Sequence, residues 1–260
     1  LPLPWPQGSA LAQQSAEPIQ TFAIGFDESS GARIYDELAY ARQMAKHIGA
    51  GHSEIIVSPD GVALLPQLIW HLDEPIADSA LFTTYLVARH AQGQVKVILS
   101  GVGGDELFAG YKRYLGAHYG RRYRRIPGWV RRQILQPLAS VLPSGRQNRM
   151  MDLARYARKF IHTSELPWRD QYRQYVEIGT SDFGMNRSPG DVHGFDRVAL
   201  AEQSDDELLR LMRVDAQTQL PEDLLLLTDK VTMAASIECR VPFLDHKLTE
   251  AAARIPADIK

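Results

Sequence analysis

Residues Val95–Tyr111 read VKVILSGVGGDELFAGY. The apolar, largely β-branched run Val95–Leu99 predicts a short strand. Ser100–Gly104 then sets Gly101, Gly103 and Gly104 into a tight turn. Glycines at the end of a strand have no Cβ to block the backbone, so their N–H groups can approach an anion or a nucleotide closely. The carboxylate of Asp105, at the edge of this turn, suits a Mg²⁺ shared with phosphate oxygens. The same spacing fits a plain turn in which Asp105 and Glu106 only complement the start of a helix. The residues leave both open.

Working outward from this turn, the upstream sequence alternates strands and helices. Gln20–Phe26 (QTFAIGF) is β-prone. Ile34, Leu38, Ala41, Ala45 and Ile48 then recur at helical steps, and Gly49–Gly51 end them. His52–Val57 (HSEIIV) predicts a second strand. Helical spacing returns at Leu64, Leu65, Leu68, Ile69 and Leu72, and Asp78 or Ser79 is placed to cap another helix running to His90. This order predicts an α/β fold with a parallel sheet covered by helices. Its functional loops are expected at the carboxyl ends of strands, at Ile24–Asp27 and Ser100–Asp105.

Beyond Tyr111 the pattern is mostly helical. Leu107–Met151 carries ten Lys or Arg and no Asp or Glu, with Tyr119, Tyr123 and Trp129 interleaved. A solvated basic surface and a docking surface for an anionic partner both fit this stretch. Gly179–Asp206 reads as a long irregular connection. Helical spacing resumes at Glu207 and again through Leu224, Leu227, Val231 and Ala234, with Pro221 at a first-turn position. Pro242 breaks the chain, and Asp245 is placed to cap a last helix to Arg254. Residues 1–18 are expected to be an irregular leader and 19–260 one domain.

Composition narrows the chemistry. A net charge of -2 gives no global attraction to nucleic acid or membrane, so neither is an expected partner. The single cysteine, Cys239, excludes an internal disulfide and fits a reducing, cytoplasmic setting. It has no base beside it and reads as a packed thiol. The eight histidines show no pair at metal-ligand spacing. No apolar run approaches membrane-spanning length.

A second constellation, Asp229–Asp245, reads DKVTMAASIECRVPFLD. By itself it is an ion-paired helix end. Together with LSGVGGDELFAGY (Leu99–Tyr111), it resembles the synthetase domain of the glutamine-hydrolysing asparagine synthetases. That family reads approximately L-S-G-E-G-x-D-E-L-F-x-G-Y at the first segment. At the second it reads D-R/K-x-x-M-A-x-S-x-E-x-R-x-P-F-L-D. TFAIGFDE (Thr21–Glu28), DELAYAR (Asp36–Arg42) and DEPIADSA (Asp73–Ala80) also fit. The resemblance covers roughly Ile19–Lys260.

The resemblance implies an adenine-nucleotide hydrolase-like fold that uses ATP and Mg²⁺. It implies attack of a substrate carboxylate, aspartate by default, on the α-phosphate of ATP. Ammonia from a glutaminase domain then takes the acyl group. By position it assigns Ile24, Ser100, Gly101 and Gly103 to the nucleotide and Asp105 to Mg²⁺. A homodimer is compatible with it. Related segments also serve other pathways, such as exopolysaccharide biosynthesis, and a nucleotide-binding remnant without catalysis is a further alternative.

Several departures bear on activity. Val102 stands where the family has an acidic residue implicated in adenylate formation or proton transfer, and valine can neither ionise nor accept a hydrogen bond. No S-G-G-x-D-S pyrophosphate loop precedes Thr21. The family's downstream lysine, which the resemblance implies as a pyrophosphate ligand, and its glutaminase domain lie outside the sequence. The reading is therefore a partial chain that does not make asparagine by itself.

Overall fold

The computed structural model describes residues 5–26, 38–57, 63–74, 76, 78–142, 149–176 and 206–260. Within these, the chain divides into two compact units, a finer division than one domain over 19–260. The first comprises residues 1–108 and 219–255, and the second residues 109–218 and 256–260.

The first unit opens with α1 (Trp5–Gln14). This helix lies within residues 1–18, expected as an irregular leader. Pro6 falls in the first turn, where its missing N–H costs nothing, and Ala10–Gln14 are good helix formers. β1 (Gln20–Phe26), α2 (Leu38–Ile48) and β2 (Gly51–Val57) follow. β1 and β2 pair in parallel, with Ile24 opposite Ile55. α2 packs over β1 at Gly25, where a Cβ would stand 2.3 Å from Leu38 Cδ1. A side chain there would force the Leu38 side chain to move. Arg42 of α2 forks onto Glu54 of β2 through two 2.7 Å bonds.

α3 (Leu65–Leu72) and α4 (Ala80–Ala91) come next. Asp78 caps the second of these, its carboxylate accepting from the Ala80 N–H at 2.8 Å. β3 (Val97–Leu99) and α5 (Gly104–Phe108) complete the N-terminal part of the unit. The chain re-enters this unit through a wide π-turn at Leu220–Leu225, then forms α12 (Leu226–Ala234), β4 (Glu238–Arg240) and α13 (His246–Ala253). Asp245 caps α13 as expected, accepting from the Lys247 and Leu248 N–H groups.

α4 is the spine of this unit. Its Leu81 and Tyr85 pack with Leu68 and Leu72 of α3 and with Leu227 and Val231 of α12. Further along, its Ala88 and Ala91 meet Ala235 and Ile237, with Phe22 of β1 and Ile98 of β3 against them. The fold is α/β with parallel strands, as expected. Among the described residues the strands form two two-stranded sheets, β1–β2 and β3–β4.

The second unit is helical. It contains α6 (Lys112–Tyr123), α7 (Gly128–Val130), a π-turn at Arg131–Leu135, α8 (Gln136–Val141), α9 (Arg149–Thr163), α10 (Trp168–Val176) and α11 (Glu207–Gln217). Pro137 lacks an N–H, and the preceding turn widens so that the Gln136 N–H reaches the Arg131 carbonyl. Tyr114, Tyr172, Leu208, Leu211, Met212 and Val214 form its core.

Inside that core lies Asp215, which is fully buried. It accepts hydrogen bonds from the hydroxyls of Tyr114 and Tyr172 and from Arg113 at 2.8 and 3.0 Å. A buried carboxylate needs such partners to remain in a folded chain. Burial, and then the Asp215 charge, push the Tyr172 hydroxyl well above its ordinary range. The expected irregular connection, residues 179–206, lies outside the described residues except for Asp206, which caps α11.

No helix among the described residues is long and apolar enough to cross a membrane.

Candidate nucleotide-binding turn

β3 and β4 pair in parallel, with Val97 opposite Glu238, Ile98 opposite Cys239 and Leu99 opposite Arg240. The ladder continues one step, since the Ser100 N–H donates to the Arg240 carbonyl at 2.9 Å. The glycine turn thus leaves β3 while still tied to the second motif. Asp229–Asp245, expected as a helix end, also contains the strand β4. Three residues carry too little pattern, and their partner lies more than a hundred positions away.

The turn is built for a close backbone. Gly103 has φ +95°, and a Cβ there would stand 2.4 Å from Leu244 Cδ2. Both the conformation and the neighbour demand glycine. Gly101 faces open space, with nothing within 4 Å of where a Cβ would be. The Gly104 N–H closes the turn on the Gly101 carbonyl at 3.1 Å, and the Val102 N–H donates to Ser100 Oγ at 3.3 Å. The N–H groups of Gly101 and Gly103 donate to nothing among the described residues. Gly101 sets its orphan donor beside open space, as an anion-binding backbone does, while Gly103 is buried.

The two carboxylates after the turn separate. Glu106 is buried and Asp105 is exposed. Among the described residues no group of three or more His, Cys, Asp or Glu side chains is arranged around a metal. Asp105 fits a Mg²⁺ only as a single ligand, with phosphate oxygens and water completing the shell. Mg²⁺ at phosphates is commonly held that way. Val102 is half-buried at the crest of the turn. Ser100, Gly101, Val102, Gly103 and Asp105 are therefore brought together, while Ile24 lies on the other sheet.

Cys239 is partly buried beside Ser100. Burial, the larger effect, pushes its thiol up to about 11 against a weaker lowering by the Ser100 hydroxyl. At neutral pH it is a protonated, packed thiol.

The second motif also reaches the DEPIADSA segment. Lys230 pairs with Asp73, whose φ of +65° ends α3 in the left-handed region. Arg240 pairs with Glu238 at 2.7 Å. Asp223, which the sequence reading did not single out, has a buried Oδ1 without a hydrogen-bond partner. Burial first, and the Asp78 charge second, push its carboxyl above the usual range.

The asparagine synthase family model matches residues 9–260, nearly the whole chain. The chain belongs to the asparagine synthase family. A Mycobacterium bovis protein provisionally named as a glutamine-hydrolysing asparagine synthetase is 34% identical over 259 residues, covering 97% of this chain and 38% of that protein. Asparagine synthetase 1 of Bacillus subtilis is 30% identical over 261 residues, covering 96% and 39%. The amidase chyE of Penicillium rubens is 25% identical over 281 residues, covering 98% and 40%. The chain thus spans about two-fifths of the length of these relatives. Against the family pattern, the β3–β4 pairing joins the two longest matching segments, and the Lys230–Asp73 pair joins a third.

Proposed function

We propose that this chain is the carboxylate-activating part of an ATP-dependent amidotransferase that converts aspartate to asparagine through an aspartyl-adenylate. The parallel pairing of β3 with β4 carries the reading, because it sets the family's two longest motifs side by side. The free N–H groups of Gly101 and Gly103 hold phosphate oxygens, and the open face at Gly101 admits the nucleotide. Ser100 lies beside them and binds the same group. Ile24, on β1, holds adenine through its backbone. Mg²⁺ held by Asp105 would offset the negative charge that builds on departing pyrophosphate. Ammonia comes from a glutaminase domain. A cytoplasmic setting and a homodimer belong to the same proposal.

Val102 supports a second reading, nucleotide binding without adenylation. A valine can neither take a proton nor hold one. Aspartate-dependent ATP–pyrophosphate exchange distinguishes the two. Exchange by the wild-type chain supports catalysis. Wild-type exchange at background, raised about tenfold or more in Val102→Glu, supports the second reading; a single proton-transferring side chain contributes roughly 10²–10⁴-fold. Failure of both proteins to bind Mg–ATP contradicts both readings.

A further inference from the structure

The helical unit contains a cavity of about 270 Å³ that belongs to none of the family motifs. His118, Arg122 and Arg125 form one wall, at helical steps of four and three along α6 and the turn after it. The Arg125 N–H still donates to the Arg122 carbonyl at 3.2 Å, so the two guanidiniums leave the same side of the chain. Buried Leu208 and half-buried Ala257 line it as apolar surface, and Asp206 and Asp258 add carboxylates. Asp206 is engaged, capping α11 through the Leu208 and Leu209 N–H groups.

The arginines of this basic stretch are not alike. Arg113 is held by Asp215, Arg124 by Glu207 and Arg131 by Glu165. Arg122 and Arg125, the two that line the cavity, pair with no carboxylate among the described residues. The nearest specific contact of Arg122 is the Tyr119 ring, 6.0 Å away. Two guanidinium forks left unneutralised over an apolar surface match a carboxylate. Asp258 gives the same cavity a place for a cation. At about 270 Å³ it falls just below the roughly 300–1,000 Å³ of pockets for drug-sized ligands, so it suits an amino acid better than a nucleotide.

We propose that this cavity is a binding site for a free α-amino acid, its carboxylate on Arg122 and Arg125 and its ammonium toward Asp258. The site lies in the second unit, and the proposal does not depend on the nucleotide reading of the first.

Calorimetric or NMR titration of the whole chain with L-alanine, acetate, ethylammonium and inorganic phosphate tests it. L-alanine is expected to bind saturably and at least about tenfold more tightly than acetate or ethylammonium, since each end adds a charge-assisted hydrogen bond. The double variant Arg122→Gln/Arg125→Gln should lose alanine binding about tenfold or more. Asp258→Asn should weaken alanine but leave acetate unchanged. All three side chains are exposed, and an unaltered circular dichroism spectrum establishes that the variants fold. Equal binding of acetate and alanine, binding of phosphate alone, or no saturable binding of alanine would each overturn the proposal.

Discussion

At the scale of single residues, the glycine turn and one buried acid behave oppositely. Gly103 satisfies two constraints at once, a φ that L side chains avoid and a neighbour, Leu244, that leaves no room for a Cβ. Asp223 is a local conflict, with a carboxyl oxygen buried and unpaired near the charge of Asp78. Its folded carboxyl titrates above the unfolded value of 3.8. A raised carboxyl favours the folded chain only while protonated, so its contribution is fully present below the unfolded value. It is lost as pH rises through the folded one. At neutral pH the ionised group therefore costs stability. Asp223→Asn is expected to raise the melting temperature at pH 7, by a few degrees for roughly 1 kcal/mol in a chain of this size. The gain should shrink toward zero as pH falls below the unfolded value. Thermal melts of both proteins across that range check this, and a variant less stable at pH 7 would contradict the assignment.

At the scale of elements, the long periodic segments were legible and the short ones were not. β1, β2, α4, α11 and the Asp245-capped helix follow from spacing and caps, because those signals are local. β4 was not legible, since three residues become a strand only by pairing with β3. The Asp215 network was hidden for a related reason. Its partners Tyr114 and Tyr172 lie 101 and 43 positions away, and an aspartate inside a helical pattern reads as an exposed one. The role of α4 as spine was half-visible. Its apolar residues could be seen, but not that Ala88 and Ala91 are fully buried where two strands converge. Ala88→Leu is expected to destabilise the fold by about 1–3 kcal/mol through overpacking. Urea titration should show a lower midpoint, and an unchanged midpoint would place that end of α4 away from the strands.

At the scale of the whole molecule, the chain belongs to the asparagine synthase family, and the glycine turn after β3 is the part on which the proposed nucleotide site rests. By its sequence alone, the Ser100–Gly104 turn fits both anion binding and a plain turn. Free N–H groups at Gly101 and Gly103, the open face at Gly101 and an exposed Asp105 now favour the first. Val102 is the one member of the turn whose side chain argues against chemistry there. Mg–ATP binding to the intact chain, measured by calorimetry for wild type and Asp105→Ala, tests this most directly. Saturable binding by wild type, weakened about tenfold or more in Asp105→Ala, is the expected result, since the loss of one charge-assisted ligand is of that order. Equal affinity in both proteins, or no binding by wild type, would contradict the assignment of this turn to the nucleotide.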